Sequence, residues 1–293
     1  MNRLYNIVGI SKQNFHQRLN RMMSKEMEKE QLLMMIEQIR LDHPRLSARQ
    51  MYKLIKPVYI GRDKFEELCF NNGYKLQTKR NRQRTTNSLG VRRFENLIKE
   101  KKFTDVNQAL VSDITFYRIE ERFCYLTFIM DIYSRKILGY GVSEDLLTEN
   151  TTVPALKMAL RNRRVQDVGG LILHSDGGGQ YYSKQFLKLT ESNQILNSMC
   201  DNVYENSHAE RLNGTIKNDY LYPYAPDSVQ NLKKMLKRAV ELYNNERPHS
   251  ALGGLSPTDF EKSLKFSTNS ELLTKRKKVT KKEKVNYYDK NIN

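Results

Sequence analysis

The sequence has few cysteines and no long apolar run. Its three cysteines, Cys69, Cys124 and Cys200, are scattered and form no CxxC pair, which argues against a disulfide framework and against a zinc site. No stretch approaches the roughly 20 consecutive apolar residues that span a bilayer. The amino-terminal residues become polar again by Ser11, so no secretory signal is predicted. These absences favour a cytoplasmic protein.

Acidic residues are scarce relative to basic ones. The 293 residues include 50 Lys and Arg against 33 Asp and Glu, which gives a formal net charge of +17. Because Lys and Arg displace counterions from phosphates, a chain this basic typically has a polyanionic partner. From charge alone, a basic protein without such a partner stays the alternative. With 39% hydrophobic residues, most of the chain is expected to fold.

The pattern in residues 1–75 predicts four helices. Ser11 is a candidate cap for a first short helix, and a second is indicated by apolar residues at i, i+3, i+4 and i+7, namely Leu32, Met35, Ile36 and Ile39. Ser47 is a candidate cap for the third, and the fourth runs from about Arg62 to Asn71. Helices separated by tight turns are typical of a helix-turn-helix DNA-binding unit, and equally of any small helical bundle.

After about residue 105 the pattern changes from helices to strands. The stretches ALVSDITFYRI, RFCYLTFIMDIYS and KILGYGVS predict a three-stranded antiparallel meander. A helix, a strand, a helix, a strand and further helices follow, which predicts a mixed α/β layered domain over residues 105–264, compatible with a ribonuclease H-like fold. Residues 76–104 are predicted to be a basic linker, and residues 265–293 a basic, disordered tail.

Three acidic residues stand in unusual surroundings. Asp113 lies inside the apolar strand VSDIT, where a carboxylate is costly unless it is paired, hydrogen-bonded or bound to a metal. Asp176 ends the strand LILHSD and precedes three glycines, which let a phosphate backbone approach closely. Glu210 lies in the helix ENSHAERLNGTIKNDYL. Near the same helical face, at offsets of −4, +3 and +7, are Asn206, Asn213 and Lys217.

These carboxylates have a possible common chemistry. Mg²⁺ prefers hard oxygen ligands and keeps several waters, so a few carboxylates and a substrate phosphate complete its shell. Two such ions about 3.5–4 Å apart activate the attacking oxygen and stabilise the leaving one in phosphodiester displacement. Taken singly, each residue is better explained by an ordinary turn, cap or surface position. The ordered set is what indicates metal-dependent chemistry on DNA.

The ordered set resembles the DDE transposases of bacterial insertion sequences, within the retroviral-integrase superfamily. The matching stretches span roughly residues 109–260 and are VSDIT, MDIYSRKILGY, LILHSDGGGQYYS, ENSHAERLNGTIKNDYL and LYNNERPHSALGGLSP. The resemblance implies a ribonuclease H-like integrase catalytic core, an α/β fold with a mixed five-stranded sheet flanked by helices. It implies that Asp113, Asp176 and Glu210 are catalytic ligands of Mg²⁺, for which Mn²⁺ substitutes. It also implies nicking of element ends and joining of 3′-hydroxyls to DNA.

The same resemblance implies partners and DNA contacts. Lys217 matches the basic residue that follows the glutamate in the family, and Arg211, Asn206 and Asn213 are further candidate DNA contacts. Residues 1–75 resemble the helical, helix-turn-helix-like segment that opens the second-reading-frame product of two-frame elements. The implied partners are the DNA of element ends and target, a partner-frame subunit or fusion, and further copies of the chain on DNA.

Two other functions fit the same residues. A ribonuclease H-like nuclease or junction resolvase shares the carboxylates but makes no joined products. An inactive transposase-derived regulator binds DNA without metal-dependent cleavage.

Several further residues have open or structural interpretations. Asp131 is expected to fix a turn with Ser134 and Arg135, and His208 to lie on a helix surface. Residues for which a functional role and plain packing both stay open are His174, Tyr181 and Tyr182. For Arg247 and His249, contact with phosphate and a helix stop made by Pro248 both stay open.

Overall fold

The computed structural model describes residues 9–76, 93–163, 169–200 and 206–265. Most of the predicted basic linker and nearly all of the predicted tail lie outside the described residues. The chain divides into two compact units, Met1–Gln77 and Thr78–Asn293. Across the four described stretches, no helix is long and apolar enough to cross a membrane.

The first unit contains three helices, α1 (Lys12–Asp42), α2 (Ala48–Ile55) and α3 (Arg62–Asn71). The predicted caps are confirmed, because Ser11 accepts from the Asn14 amide and Ser47 forms a capping box. The helices enclose a small core made by Leu32, Ile36, Leu46, Ala48, Met51, Phe65 and Cys69.

Helix α1 differs from the prediction of two separate helices in the same stretch. It runs unbroken for 31 residues. The physical reason is that the chain has no glycine or proline between Lys12 and Asp42, so no residue ends the helix between the two predicted segments. The apolar stripe is only partly buried, since Leu32 and Ile36 lie in the core while Met35 is 48% exposed.

The second unit is built on a mixed five-stranded sheet, as predicted. Its strand order is β3-β2-β1-β4-β5. The first three strands form the antiparallel meander, and β4 and β5 run parallel to β1. The strand bounds are β1 Ala109–Ile119, β2 Arg122–Asp131, β3 Ile137–Ser143, β4 Ile172–Ser175 and β5 Leu196–Met199.

Helices cover both faces of this sheet. Successive side chains of a strand point to opposite faces, so in β1 Leu110 joins one apolar cluster and Val111 the other. The Leu110 side is covered by α4 (Thr152–Arg163) and α5 (Lys184–Ser192). The Val111 side is covered by α6 (Ser207–Thr215), which continues into π-helical turns at Ile216–Leu221, and by α7 (Val229–Asn245). The ribonuclease H-like fold class is therefore confirmed.

Residues 93–104 differ from the predicted linker. Leu97, Ile98 and Phe103 pack against the core of the second unit. The Leu97 amide donates to Ser198 Oγ at 2.8 Å, and the Met199 amide donates to the Glu95 carbonyl at 3.3 Å. The three apolar side chains gain more by burial on the sheet than they would in a solvated tether.

The close approach of α4 to β3 depends on a glycine. A Cβ on Gly139 would overlap the carbonyl group of Ala155, whereas one on Gly141 in the same strand would meet open space. We expect Gly139→Ala to destabilise the protein by about 1–3 kcal/mol, the usual cost of overpacking, and Gly141→Ala to change stability little. Thermal melting of both variants checks this, and equal melting temperatures would contradict it.

Candidate active site

The parallel pairing of β1 and β4 brings two of the predicted ligands together. Ser112 of β1 is in register with Ser175, the last residue of β4. Asp113 is the next residue of β1, and Asp176 is the first residue after β4. Both aspartates therefore emerge at the same position along neighbouring strands, at the point where β4 ends. Sequence separation alone does not place them side by side; the strand register does.

The loop after β4 is fixed beneath Asp176. The Gly178 amide donates to Asp176 Oδ1 at 3.2 Å. The hydroxyl oxygen of the buried Tyr181 lies 2.9 Å from Ser112 Oγ. The hydroxyl of Tyr182 donates to the Gly177 carbonyl. These contacts favour the packing interpretation of both tyrosines over a role in stacking on a base. Gly179 is exposed, and no atom lies near the place of a Cβ there.

Glu210 lies in the first turn of α6 and is exposed. One turn further on, Asn213 Nδ2 donates to Asp113 Oδ2 at 2.6 Å. Because residues three apart share a helical face, the side of α6 that bears Glu210 is the side held against Asp113. The helix therefore presents the third predicted ligand toward the two aspartates.

The other predicted DNA contacts occupy different environments. Asn206 is buried and donates to the Ser112 carbonyl at 3.1 Å. Lys217 is half-buried and donates to Thr115 Oγ1 at 2.7 Å. Like Asn213, these side chains fasten α6 and its continuation to β1. Arg211 is exposed, so it is the member of the predicted set whose position suits contact with DNA most directly.

The other two carboxylates act electrostatically on Asp113. Burial, followed by the charge of Asp176, raises the pKa of the Asp113 carboxyl to about 7, and Glu210 contributes in the same direction. Burial also raises the pKa of Asp176. Burial lowers the pKa of Lys217, an effect that Asp113 opposes. The site is thus a concentration of negative charge that is partly removed from water.

The oxygen donors have the chemistry of a magnesium or manganese site. Among residues 9–76, 93–163, 169–200 and 206–265, however, no three His, Cys, Asp or Glu side chains form a ready-made metal-binding group. Asp113 and Asp176 emerge from neighbouring strands, and Glu210 lies on the side of α6 that Asn213 holds against Asp113. The buried amide oxygen of Asn213 makes no hydrogen bond within the described residues, which leaves an acceptor beside Asp113.

The structural role predicted for Asp131 is confirmed. Its side chain is fully buried, and Oδ1 accepts from the amides of Tyr133 and Ser134 at 2.9 Å each. Oδ2 accepts from the Asn107 amide and from Arg163. This acid therefore holds the β2–β3 turn and is satisfied without a metal.

The open interpretations of His174, Arg247 and His249 are resolved in favour of structural roles. His174 is fully buried, with Nδ1 2.9 Å from Ser198 Oγ and Nε2 3.1 Å from Cys200 Sγ. Arg247 forms an ion pair with Asp219 at 2.7 Å. The His249 ring lies against Tyr243, with centroids 4.8 Å apart.

The sequence predicted that His208 lies on a helix surface, but its side chain is not fully exposed. It is half-buried, and its Nδ1 contacts a guanidinium nitrogen of Arg135. Burial, followed by Arg135 and Arg211, lowers the pKa of His208 to about 4. The side chain is therefore neutral at physiological pH.

Asp113→Asn is expected to raise thermal stability when no divalent ion is present. Because the pKa of Asp113 rises from an ordinary 3.8 to about 7 on folding, the folded protein loses stability as pH increases from about 4 to 7. An amide avoids this loss and still accepts from Asn213. The melting temperature of the variant should exceed that of the wild type by several degrees at pH 8, and the two should nearly agree at pH 5.

The exposed Asp227→Asn substitution is the control for this stability measurement. It should show no such gain at pH 8. A constant difference between Asp113→Asn and the wild type at both pH values would contradict the electrostatic origin.

Two family models match this part of the chain, and both are described as "Integrase core domain". One covers residues 104–203 and the other residues 194–257. Among solved structures, the catalytic core domain of HTLV-2 integrase in complex with magnesium is similar at 22% identity and a TM-score of 0.41. That match covers 52% of this chain and 92% of the integrase chain.

Two relatives come from insertion sequences. The uncharacterized 31 kDa protein of insertion element IS600 from Shigella sonnei is 34% identical over 210 residues, which are 69% of this chain and 75% of that protein. Transposase InsF of IS3A from Escherichia coli is 31% identical over 172 residues. In that case the match covers 57% of this chain and 58% of the relative. The chain therefore belongs to the transposases of bacterial insertion sequences, and its second unit carries their integrase core domain.

Proposed function

We propose that this chain catalyses metal-dependent nicking of DNA at the ends of its insertion sequence and joins the resulting 3′-hydroxyls to another DNA strand. The observation that carries the proposal is the meeting of Asp113 and Asp176 on neighbouring parallel strands, with Glu210 facing them from α6. The proposal is also supported by the similarity of this chain to InsF, a relative that is named a transposase.

Asp113, Asp176 and Glu210 would hold Mg²⁺, or Mn²⁺ in its place. Their oxygens are the ligand type that both ions prefer. A cation offsets the burial and the repulsion by Asp176 and Glu210 that together raise the pKa of Asp113. The free amide oxygen of Asn213 suits an ion that keeps part of its water shell. When bound, such an ion supplies activation of the attacking oxygen and neutralisation of charge at the phosphate.

The chain's own residues hold this site in place. Asn213 orients the Asp113 carboxylate by donating to Oδ2. Asn206 and Lys217 hold α6 and its continuation on β1, so that Glu210 stays on the side of the aspartates. Positioning of this kind lowers the reorganisation required when DNA binds.

DNA contacts are proposed for several basic parts of the chain. Arg211 is exposed one residue beyond Glu210 and is suited to a phosphate near the reacting bond. The helical residues 1–75, and the basic residues of 76–104 and 265–293, would bind the DNA flanking it. We further propose that several copies assemble on DNA in the cytoplasm, with a partner-frame subunit or as a fusion with it.

The test is strand cleavage and joining on labelled DNA that carries the ends flanking the gene, with Mg²⁺ or with EDTA. Joined products that require Mg²⁺ are the expected result. The assay is run with the chain alone and with the partner-frame product added, because recognition of the ends is proposed to involve both.

The same assay separates the alternatives. Metal-dependent nicks without joined products would favour a ribonuclease H-like nuclease or resolvase. DNA binding without any cleavage, in the presence of the partner, would favour an inactive DNA-binding regulator.

A further inference from the structure

A second feature of the core is a groove of about 640 Å³. Four segments form its walls: residues 96–103, the β2–β3 turn, the first turn of α6, and residues 251–260. We call it the basic aromatic groove, and define it by the side chains of Lys99, Lys101, Phe103, Tyr133, Arg135 and Phe260.

The charged side chains that line this groove are Lys99, Lys101 and Arg135. Within the described parts of the chain, no aspartate or glutamate lines it, whereas two lysines and an arginine do. Arg135 contacts His208. Because His208 is neutral, this contact does not cancel the positive charge of Arg135. A groove of this charge is complementary to phosphate.

Aromatic rings accompany the charges. The rings of Tyr133 and Phe260 lie 5.5 Å apart at an angle of 58°, and both are half-buried. Phe103, from the segment of residues 96–103, packs against the core. A base stacks on exposed ring surface of this kind whatever its identity, so basic and aromatic side chains together suit a nucleotide better than a free anion.

The groove and the candidate carboxylate site share helix α6. Ser207 lines it and precedes Glu210 by three residues on α6. Side chains at this spacing are neighbours on a helix surface, with Cβ atoms about 5–6 Å apart. A DNA strand whose phosphodiester lies at Glu210 therefore has the groove within reach of its next nucleotides.

We propose that the basic aromatic groove binds an unpaired nucleotide of the DNA strand next to the reacting phosphodiester. This rests on the proposed function for the identity of the strand. The groove volume of about 640 Å³ lies within the roughly 300–1,000 Å³ typical of small-ligand sites, a size that suits one nucleotide. Stacking on the aromatic rings requires a base whose face is exposed, which favours a single strand over a duplex. The chain's own carboxyl-terminal residues are a poor alternative, since KRKKVTKKEK has the same charge as the groove.

The first test compares two phenylalanine substitutions in the full-length protein. Binding of a fluorescein-labelled single-stranded oligonucleotide, and of the duplex of the same sequence, is measured by anisotropy in EDTA. We expect Phe260→Leu to weaken single-strand binding by about tenfold, in line with the loss of one base-stacking contact, and to change duplex binding less than twofold. Phe123→Leu is the matched control, because Phe123 is 49% exposed on β2 and is not part of the groove.

The second test addresses the phosphate. Lys101→Gln is expected to weaken single-strand binding and to reduce the slope of log affinity against log salt by about 0.7, the value for one phosphate contact on a single strand. Lys237→Gln, on the exposed side of α7, should leave that slope unchanged.

Folding is monitored by thermal melting, and Tyr133→Leu replaces Phe260→Leu if the latter melts early. Equal single-strand affinities for the wild type, the groove variant and Phe123→Leu would overturn the proposal. So would a loss of duplex binding as large as the loss of single-strand binding. Because binding is measured in EDTA, these outcomes do not depend on whether the protein joins strands.

Discussion

Replacing Glu210 with glutamine is expected to reduce Mg²⁺-dependent strand joining by about a thousandfold or more. The reason is that a metal ligand contributes several kcal/mol of charge stabilisation in the transition state, and each 1.36 kcal/mol corresponds to a factor of ten in rate. Glu210 is exposed in the first turn of α6, so the same change should leave the melting temperature nearly unaltered. The measurement is the rate of joining under single-turnover conditions, beside a melting curve.

Glu241→Gln is the matched control, since Glu241 is also an exposed helix residue in the same unit. It should join strands at the wild-type rate. Retention of more than about a tenth of wild-type activity by Glu210→Gln would be far above the residual activity expected for a lost metal ligand, and would remove Glu210 from the catalytic set.

Arg163→Met is expected to lower the stability of the protein more than any other single change considered. Arg163 donates to Asp131 Oδ2 at 2.9 Å and to Glu261 Oε1 at 2.7 Å, and the side chains of the two acids are 0% and 12% exposed. Removing Arg163 takes away the cation that pairs with the fully buried Asp131, while Glu261 keeps its ion pair with Lys136. Breaking a buried ion pair from one side costs about 3–5 kcal/mol. For a unit of this size the melting temperature should fall by roughly 10 °C.

Arg161→Met tests whether the effect belongs to this ion-pair network. Arg161 lies two residues earlier on α4 and is exposed. A fall of similar size in both variants would show that loss of helix propensity or surface charge is responsible. A fall confined to Arg163→Met would assign it to the contacts with Asp131 and Glu261.

The strands of the core were predictable because their signal is local. The stretch ALVSDITFYRI is β1 residue for residue, since a run of branched and aromatic residues between polar turns favours a strand wherever it lies. The length of α1 was not predicted, because two apolar segments were interpreted as two helices although nothing between them breaks a helix. The packing of Leu97 and Phe103 on the core was missed for a related reason: a few apolar residues in a basic stretch gave too weak a periodic signal.

The residues of the candidate site could be predicted from the sequence, but their arrangement in space could not. Asp113, Asp176 and Glu210 were selected by their type and order, but only strand register and helix packing bring them to face each other. Contacts between distant residues had no sequence signal, such as that of Ser134 with Glu261, 127 residues apart, or that of Arg135 with His208. The contacts of Asn206, Asn213 and Lys217 with β1 could not be predicted either. Residue spacing shows which side chains share a helical face, but it does not show which element that face packs against.

The most direct test of the central claim is a change of metal preference at Asp176. Thiolate is a softer ligand than carboxylate and discriminates against Mg²⁺ more strongly than against Mn²⁺. We therefore predict that Asp176→Cys joins strands at a rate below detection in Mg²⁺ and regains measurable joining in Mn²⁺, while the wild type is active in both. Undiminished joining by Asp176→Cys in Mg²⁺, or equally low joining in the two ions, would contradict the assignment of Asp176 as a metal ligand.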